Sequence, residues 1–450
     1  MKNLTKCLEL VEADKSLLSP GSRISYYPLA IKRGRGAIVE DLDGNSYIDM
    51  LSSAGAVNTG HCHPKVVEAV KKQAEEMLLY TTVYMYHEPL VHLSKEIVAL
   101  APGDFRKRVF YGLSGSDAND GAIKMARFST GRPKVVSYIR SYHGNTYGAM
   151  TLSAVSLPMG HRVGPLLPDI YHVPYPDPYR PPVPGMTPDQ VSDYCIDFIK
   201  TAFTNYMPAD EVAAFIIEPI QGDSGLIVPP VKYMHDLRRL CDEYGILFIS
   251  EEVQQGFGRT GKWFGIENFG VVPDAMIMGK AIASGLPLSG VVSRAELMDP
   301  LNPPVHTFTT AGNPVCCAAA LATIKVLKEE NIPAHAAEVG AHAQHRFREM
   351  QKRFEFVGDV RGIGLSIGVD LVTNRETKER NRVATSKICY RAWEKGLLLA
   401  FFSGSVLRIQ PPLVITKAEM DKALDIIEES MEEFEKGQIP DSVLDTVKGW

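Results

Sequence analysis

No apolar run in this chain approaches the roughly 20 residues that a membrane-spanning helix needs,. There is no CxxC pair, and the seven cysteines (Cys7, Cys62, Cys195, Cys241, Cys316, Cys317 and Cys389) are odd in number and scattered. That pattern excludes a disulfide scaffold and fits free thiols in a reducing compartment. No basic stripe is present: 48 Lys and Arg stand against 53 Asp and Glu, a net charge of −5 spread without blocks. A nucleic-acid footprint is therefore not expected. Internal repeats and low-complexity tracts are also missing, and the opening MKNLTKCLELVEADKS is too charged and mixed to be a secretory signal,. What is present is 45% hydrophobic and 22% charged composition over 450 residues, enough for a large core and two or three domains,. The remaining class is a cytoplasmic, globular enzyme.

The middle of the chain alternates short apolar runs with helical patterns, the signature of a mostly parallel sheet. Strands are predicted at Lys107–Tyr111, Lys134–Ile139, Val212–Ile217, Ile246–Ser250, Ala275–Met278 and Ser289–Val292. Tyr233, Leu237, Leu240, Cys241 and Tyr244 recur at helical spacing before the stop signal Gly245,. Five prolines in Tyr175–Pro184 require a loop,. Beyond about residue 330, helices over about 335–354 and 416–436 flank short strands that include Leu397–Phe401 and Val406–Ile409. Thr416 and Glu419 have capping-box spacing, and Met420, Leu424, Ile427, Met431 and Phe434 form one core-facing stripe,. The expectation is a large α/β domain over residues 61–320 and a smaller α+β domain built from residues 1–60 and 321–450.

In an open parallel sheet, ligands bind beyond the carboxyl ends of the strands. Five predicted strands are followed by chemically distinctive groups: Ser114-Gly115-Ser116 at a helix start, Tyr142-His143-Gly144, Glu218 through Asp223, Glu251-Glu252, and Lys280. A helix N-terminus with serines is a phosphate seat, although Ser114 serves equally well as a simple N-cap. Lys280 ends an apolar strand and is followed by small uncharged residues, an environment that favours a neutral, nucleophilic amine able to form a Schiff base. Glu251 and Glu252 alternate on an extended chain, so at most one of them can meet a ligand directly and the other is expected to be a solvated loop acid.

Competing motifs fail. A P-loop ending at Lys280 would need glycine at Asp274 and Ser or Thr at Ala281, and Gly362, Gly364 and Gly368 do not fit GxGxxG,. His61-Cys62-His63 lacks a second pair at zinc spacing, so no metal site is expected,.

A phosphate seat, an aromatic, a carboxylate and a lysine in this order resemble the class III aminotransferase family of fold type I. The resemblance runs from GAIVEDLDGNSYIDM and GHCHPKVVEAV through SGSDAND, YHG, IIEPIQGDSG, EEVQQGFGRTGKWF and MGKAIASGLPLSGVV to TFTTAGNPVCCAAA and VLRIQPPLVIT. It implies a mostly parallel seven-stranded sheet in the large domain, with pyridoxal phosphate as cofactor. It further implies that Lys280 carries the cofactor, that Ser114, Gly115 and Ser116 bind its phosphate, and that Thr309 reaches that phosphate from a neighbouring subunit. Tyr142 would stack on the ring, Gln254 would lie near its hydroxyl, and Glu251 would replace the family's usual aspartate beside the ring nitrogen. Shared sites imply a homodimer or a larger homo-oligomer. Tyr26, Tyr27, Ala54 and Arg408 fall in segments that contribute to the substrate pocket in relatives.

Where aminotransferases of this family usually read EPxQGEGG, this chain reads Glu218-Pro-Ile-Gln-Gly-Asp223-Ser-Gly. With SGSDAN and PYPDPYR, this resembles the family's amino-acid racemase and isoleucine 2-epimerase branch. Inversion at Cα is served most directly by two acid/base groups on opposite faces of a planar carbanion. Lys280 is one such group and Asp223 is the candidate for the other; pairing of Asp223 with Arg408 is the structural alternative. The expectation is an isomerase acting on an apolar or branched amino acid, with an aminotransferase using a 2-oxo acid as the alternative.

Overall fold

The computed structural model describes residues 2–447. The chain builds two compact units, one spanning Pro64–Pro333 and one drawn from the segments up to His63 and from Ala334 onward.

Seven strands form the sheet of the first unit: β1 (Lys107–Gly112), β2 (Lys134–Tyr138), β3 (Ile170–Val173), β4 (Val212–Ile217), β5 (Leu247–Glu251), β6 (Ala275–Met278) and β7 (Ser289–Arg294). Their spatial order is β1-β7-β6-β5-β4-β2-β3. Only β7 runs against the others, pairing antiparallel with β1 and β6. The remaining pairings are parallel. All six residues of β4, VAAFII, are buried, as expected for a central strand covered on both faces,. The edge strand β3 was not predicted; it is four residues long, carries His172, and follows a loop region.

Helix α1 (Gly115–Thr130) lies against this sheet through Ala118, Ala122, Ile123, Met125 and Ala126, which pack with Val135, Ile216, Ile249, Ile277 and Val291. It begins three residues earlier than its apolar pattern suggests because Ser114 and Asp117 form a reciprocal capping box,. Helix α2 (Val231–Tyr244) buries Tyr233, Met234, Leu237, Leu240 and Cys241, and Gly245 terminates it at φ +62°,. Tyr244 is partly exposed, so the stripe ends one residue short of the expectation. Helix α3 (Pro314–Glu329) packs on the helices Pro64–Glu76 and Glu88–Leu100.

In the second unit, Ile31–Arg35, Ile38–Asp41 and Ser46–Asp49 form a sheet with Leu397–Leu398, and Val357–Ile363, Ser366–Asn374, Val406–Ile409 and Ala400–Phe402 form another. The closing helix Lys417–Glu435 has its Thr416–Glu419 capping box and buries Met420, Leu424, Ile427 and Met431. All seven cysteines are free thiols, and only Cys62 is exposed. Among the described residues, no helix is long and apolar enough to cross a membrane.

One fold element is sensitive to acid. His306 is buried between Phe110 and Phe308, with ring centroids 4.8 and 4.9 Å away. Neither ring nitrogen has a hydrogen-bond partner among the described residues. Burial, with the Lys124 charge, lowers its pKa to about 4 from the usual 6.5, against the opposing pull of Asp117. A histidine kept neutral by the fold contributes fully above pH 6.5 and costs stability as pH falls from 6.5 toward 4. His306→Phe is therefore expected to shrink the loss of melting temperature between pH 7 and pH 5 by about 2–4 °C relative to wild type. Parallel melting curves for the two proteins across that range would refute this assignment.

Candidate active site

The loops that leave β1, β2, β4, β5 and β6 all emerge at the carboxyl edge of the sheet. Gly115, Ser116, Tyr142, His143, Gly144, Glu218, Glu251, Val253, Gln254 and Lys280 line one cavity there, of about 140 Å³. Each of the five loops contributes, so the residues that sequence singled out one strand at a time are neighbours in space.

The start of α1 supplies the anion-binding end. Its first backbone N–H groups lack intrahelical acceptors and the helix dipole favours negative charge there. Ser114 spends its hydroxyl oxygen on the helix cap, accepting from the Asp117 N–H at 3.3 Å, and does not line the cavity. Ser116 does line it, and its hydroxyl accepts from the Asn145 N–H at 3.1 Å. Gly144, at φ +125°, makes room for that hydroxyl: a Cβ at residue 144 would come within 2.0 Å of Ser116 Oγ. Gly115 is similarly confined, since its Cβ would lie 2.9 Å from Val253.

Two carboxylates, Glu218 and Glu251, also line the cavity. Glu218 follows β4 and is almost wholly buried. It accepts the Tyr142 N–H at 3.0 Å and the Gly222 N–H at 2.9 Å, one on each oxygen. Burial pushes its pKa up to about 7; the two N–H groups oppose this, Asp223 adds to it and Lys280 counters it. Glu251 ends β5, and burial together with the Glu218 charge holds its carboxyl well above the usual range despite Lys280. Two such acids in one cavity favour a cationic ligand group.

Glu252 corrects the sequence reading. It is not a solvated loop acid but fully buried, accepting from the Ser250 hydroxyl at 2.9 Å and from the N–H groups of Gly265 and Ile266 at 2.7 and 2.8 Å. It fastens the segment that follows β5 onto the turn at Gly265–Phe269.

Lys280 sits at φ +44°, a left-handed conformation that costs a non-glycine residue about 1–3 kcal/mol and marks functional positions,. Tyr142 is held by its backbone to Glu218 and by its hydroxyl to Asn145, 3.3 Å away. Asp223 is buried and accepts from Gln254 Nε2 at 3.3 Å, which ties it to a residue of the cavity wall.

The other residues singled out from sequence lie elsewhere. Thr309 is exposed, in the turn Phe308–Ala311, and does not line the cavity of its own chain. Tyr26, Tyr27, Ala54 and Arg408 belong to the second unit. There the Tyr26 hydroxyl donates to the Phe401 carbonyl at 2.7 Å and the Tyr27 hydroxyl to that of Leu399 at 2.6 Å. Ala54 has φ +60°, and the buried Arg408 guanidinium lies 3.8 Å from the Phe402 ring centroid. His61, part of the His-Cys-His run, bonds Asp49 at 2.7 Å. Glu218 and His143 were not assigned roles from sequence. His143 is wholly buried, contacts Ser137 Oγ at 3.1 Å, and has its pKa lowered to about 3 by burial. A polar residue directly after an all-apolar strand was the one signal that pointed to Glu218.

A helix-start anion seat, an aromatic, a buried carboxylate and a lysine within one cavity fit the phosphate, ring, ring nitrogen and aldehyde of pyridoxal phosphate. The sheet order and the site together define a pyridoxal-phosphate enzyme of fold type I.

The chain belongs to the class III aminotransferase family, whose model matches residues 21–431. It is 46% identical to an isoleucine 2-epimerase of Lentilactobacillus buchneri, over 98% of both chains. It is 44% identical to a leucine/methionine racemase of Thermococcus litoralis, over 98% of this chain and 99% of that one. An aminotransferase structure from Bacillus anthracis superposes with a TM-score of 0.87 at 31% identity, covering 96% of this chain and 100% of the other.

Gly144→Ala tests the phosphate end. The added carbon would meet both Ser116 Oγ and the Ser116 backbone, and it would sit on a left-handed residue. Cofactor affinity, read by absorbance titration of the cofactor-free protein, should fall about 10- to 100-fold, equivalent to about 1.4–2.8 kcal/mol. Unchanged affinity would move the phosphate away from Ser116.

Proposed function

We propose that this protein inverts the configuration at Cα of apolar or branched α-amino acids, as an amino-acid racemase or epimerase. The observation that supports the reading is a buried acid, Asp223, hydrogen-bonded to Gln254 of the cavity that Lys280 lines, which we take as the second proton-transfer group. An aminotransferase needs only the lysine to move its proton. The 44–46% identity to an epimerase and a racemase, against 38% or less to the aminotransferases compared, supports the same choice.

Bound pyridoxal phosphate supplies an electron sink that acidifies the α-hydrogen of the attached amino acid. Lys280 would hold the cofactor through its amine, which is released for proton transfer when substrate takes its place. Gly115, Ser116 and the N-terminus of α1 would bind the phosphate, Tyr142 would stack on the ring, Gln254 would face its hydroxyl, and Glu251 would hold the ring nitrogen protonated. The high proton affinity of Glu251 in isolation reflects unrelieved burial, and a cationic nitrogen would relieve it. Lys280 and Asp223 then remove a proton from Cα on one face and return one on the other. Because proton removal and return leave the amino group in place, no 2-oxo acid is required.

We further infer a cytoplasmic homo-oligomer. Support comes from the free thiols and from the exposed apolar segment that holds Met77, Leu78, Tyr84, Met85 and Tyr86, with Tyr86 98% exposed. On this reading Thr309 serves a partner subunit's phosphate. Sedimentation should give a dimer or larger species; a monomer would contradict the shared site. For activity, chiral chromatography of single L-amino acids incubated with holoenzyme and no 2-oxo acid should show the D- or 2-epimeric product. A single burst of 2-oxo acid with no enantiomer formed would establish an aminotransferase.

A further inference from the structure

The loop carrying Asp223 is gripped by the segment that follows β5. Gln255 is buried to 1% exposure and points Nε2 at the Ile220 carbonyl, 3.2 Å away, and at Gln254 Oε1, 3.5 Å away. Gln254, 5% exposed, in turn donates from Nε2 to Asp223 Oδ1. Gly222 makes this approach possible: a Cβ there would stand 2.0 Å from Gln254 Oε1 and 2.9 Å from its Nε2. The backbone of Gly222 lies outside the left-handed region, so its missing side chain is required for space and not for conformation.

We propose that Gly222, Gln254 and Gln255 form a clamp that fixes the Asp223 carboxylate for proton transfer at Cα, making Gln254 and Gln255 positioning residues of the inversion. The inference rests on the racemase reading above and adds to it a cause for the fixed placement of one proton-transfer group. An amide N–H donated to a carboxylate oxygen selects one side-chain rotamer. A base displaced by about 1 Å loses on the order of 100-fold in rate. Lys280 comes from a different segment, the turn Lys280–Ala283 after β6, so loosening the clamp should affect one face of Cα more than the other.

Two variants test this without touching Lys280, Asp223 or the phosphate seat. Gln255→Leu removes the anchor to Ile220 and Gln254, and Gly222→Ala pushes the Gln254 carboxamide away from Asp223. Each variant holoenzyme is assayed beside wild type with L- and D-isoleucine-type substrates in heavy water. Inversion and Cα deuterium incorporation are followed from pH 5 to pH 9, with cofactor content read by absorbance. The expected result is at least a tenfold loss of inversion, with Cα exchange from one enantiomer within about threefold of wild type and full cofactor content. Wild-type-like inversion in both variants would overturn the clamp while leaving the racemase reading standing. Equal loss of exchange from both enantiomers, or loss of cofactor, would also overturn it by showing a general structural role. Wild type that exchanges but never inverts would remove the racemase reading and the clamp with it.

Discussion

Replacing Lys280 with alanine is expected to abolish inversion, by more than about 10⁴-fold, because on the proposed reading one change removes both the covalent hold on the cofactor and one of two proton-transfer groups. The geometry makes this a local loss. Lys280 opens the short turn Lys280–Ala283 after β6, and the residues packed beneath it (Ala281, Ile282 and Ala283) stay buried. The positive φ of Lys280 suits alanine no better than lysine, so stability should change little,. A readout independent of turnover is available: borohydride treatment should leave a cofactor mass adduct on the Lys280 peptide of wild type and none in the variant. An adduct on another lysine would relocate the site. Retained inversion would remove Lys280 from its assigned role.

Asp223→Asn should cost inversion about 10²- to 10⁴-fold, the usual range for a general acid or base. The amide oxygen can still accept from Gln254 Nε2, so the clamp and the cofactor are expected to remain. The informative result is asymmetric. Cα exchange should persist from the enantiomer whose hydrogen faces Lys280 and vanish from the other. Equal exchange from both, or undiminished inversion, would leave Asp223 a structural acid.

The parts of this fold that were readable from sequence are those governed by short-range pattern. Val212–Ile217 is apolar without interruption, and its burial and centrality follow from that alone. Thr416 and Glu419 cap the last helix as their spacing requires. The strand β3 was missed because four residues, one of them His172, carry too little periodicity to stand out after a loop. At the site, Gly115, Ser116, Tyr142, Glu251 and Lys280 were legible because strand ends of a parallel sheet converge on one edge, whereas Gln254 came only from the family resemblance. Glu252 was misread because alternation holds only while the chain is extended. The chain turns at Glu252, whose carbonyl accepts from Gly256 N–H, and the side chain meets Gly265 and Ile266 across a loop. The roles of Glu218 and Gln255 were harder to read for a related reason: their partners include backbone groups of Tyr142, Gly222 and Ile220, which no residue pattern encodes.

The central claim is that two groups serve two faces of one carbon, and deuterium tests it directly. Holoenzyme would be incubated with L-isoleucine in heavy water without any 2-oxo acid, following the 2-epimer by chiral chromatography and Cα deuterium by mass. Steady formation of epimer carrying one deuterium at Cα, over many turnovers and with no 2-oxo acid released, is the predicted result. Deuterium entering L-isoleucine with no epimer formed, or 2-oxo acid released in a single stoichiometric burst, would contradict it.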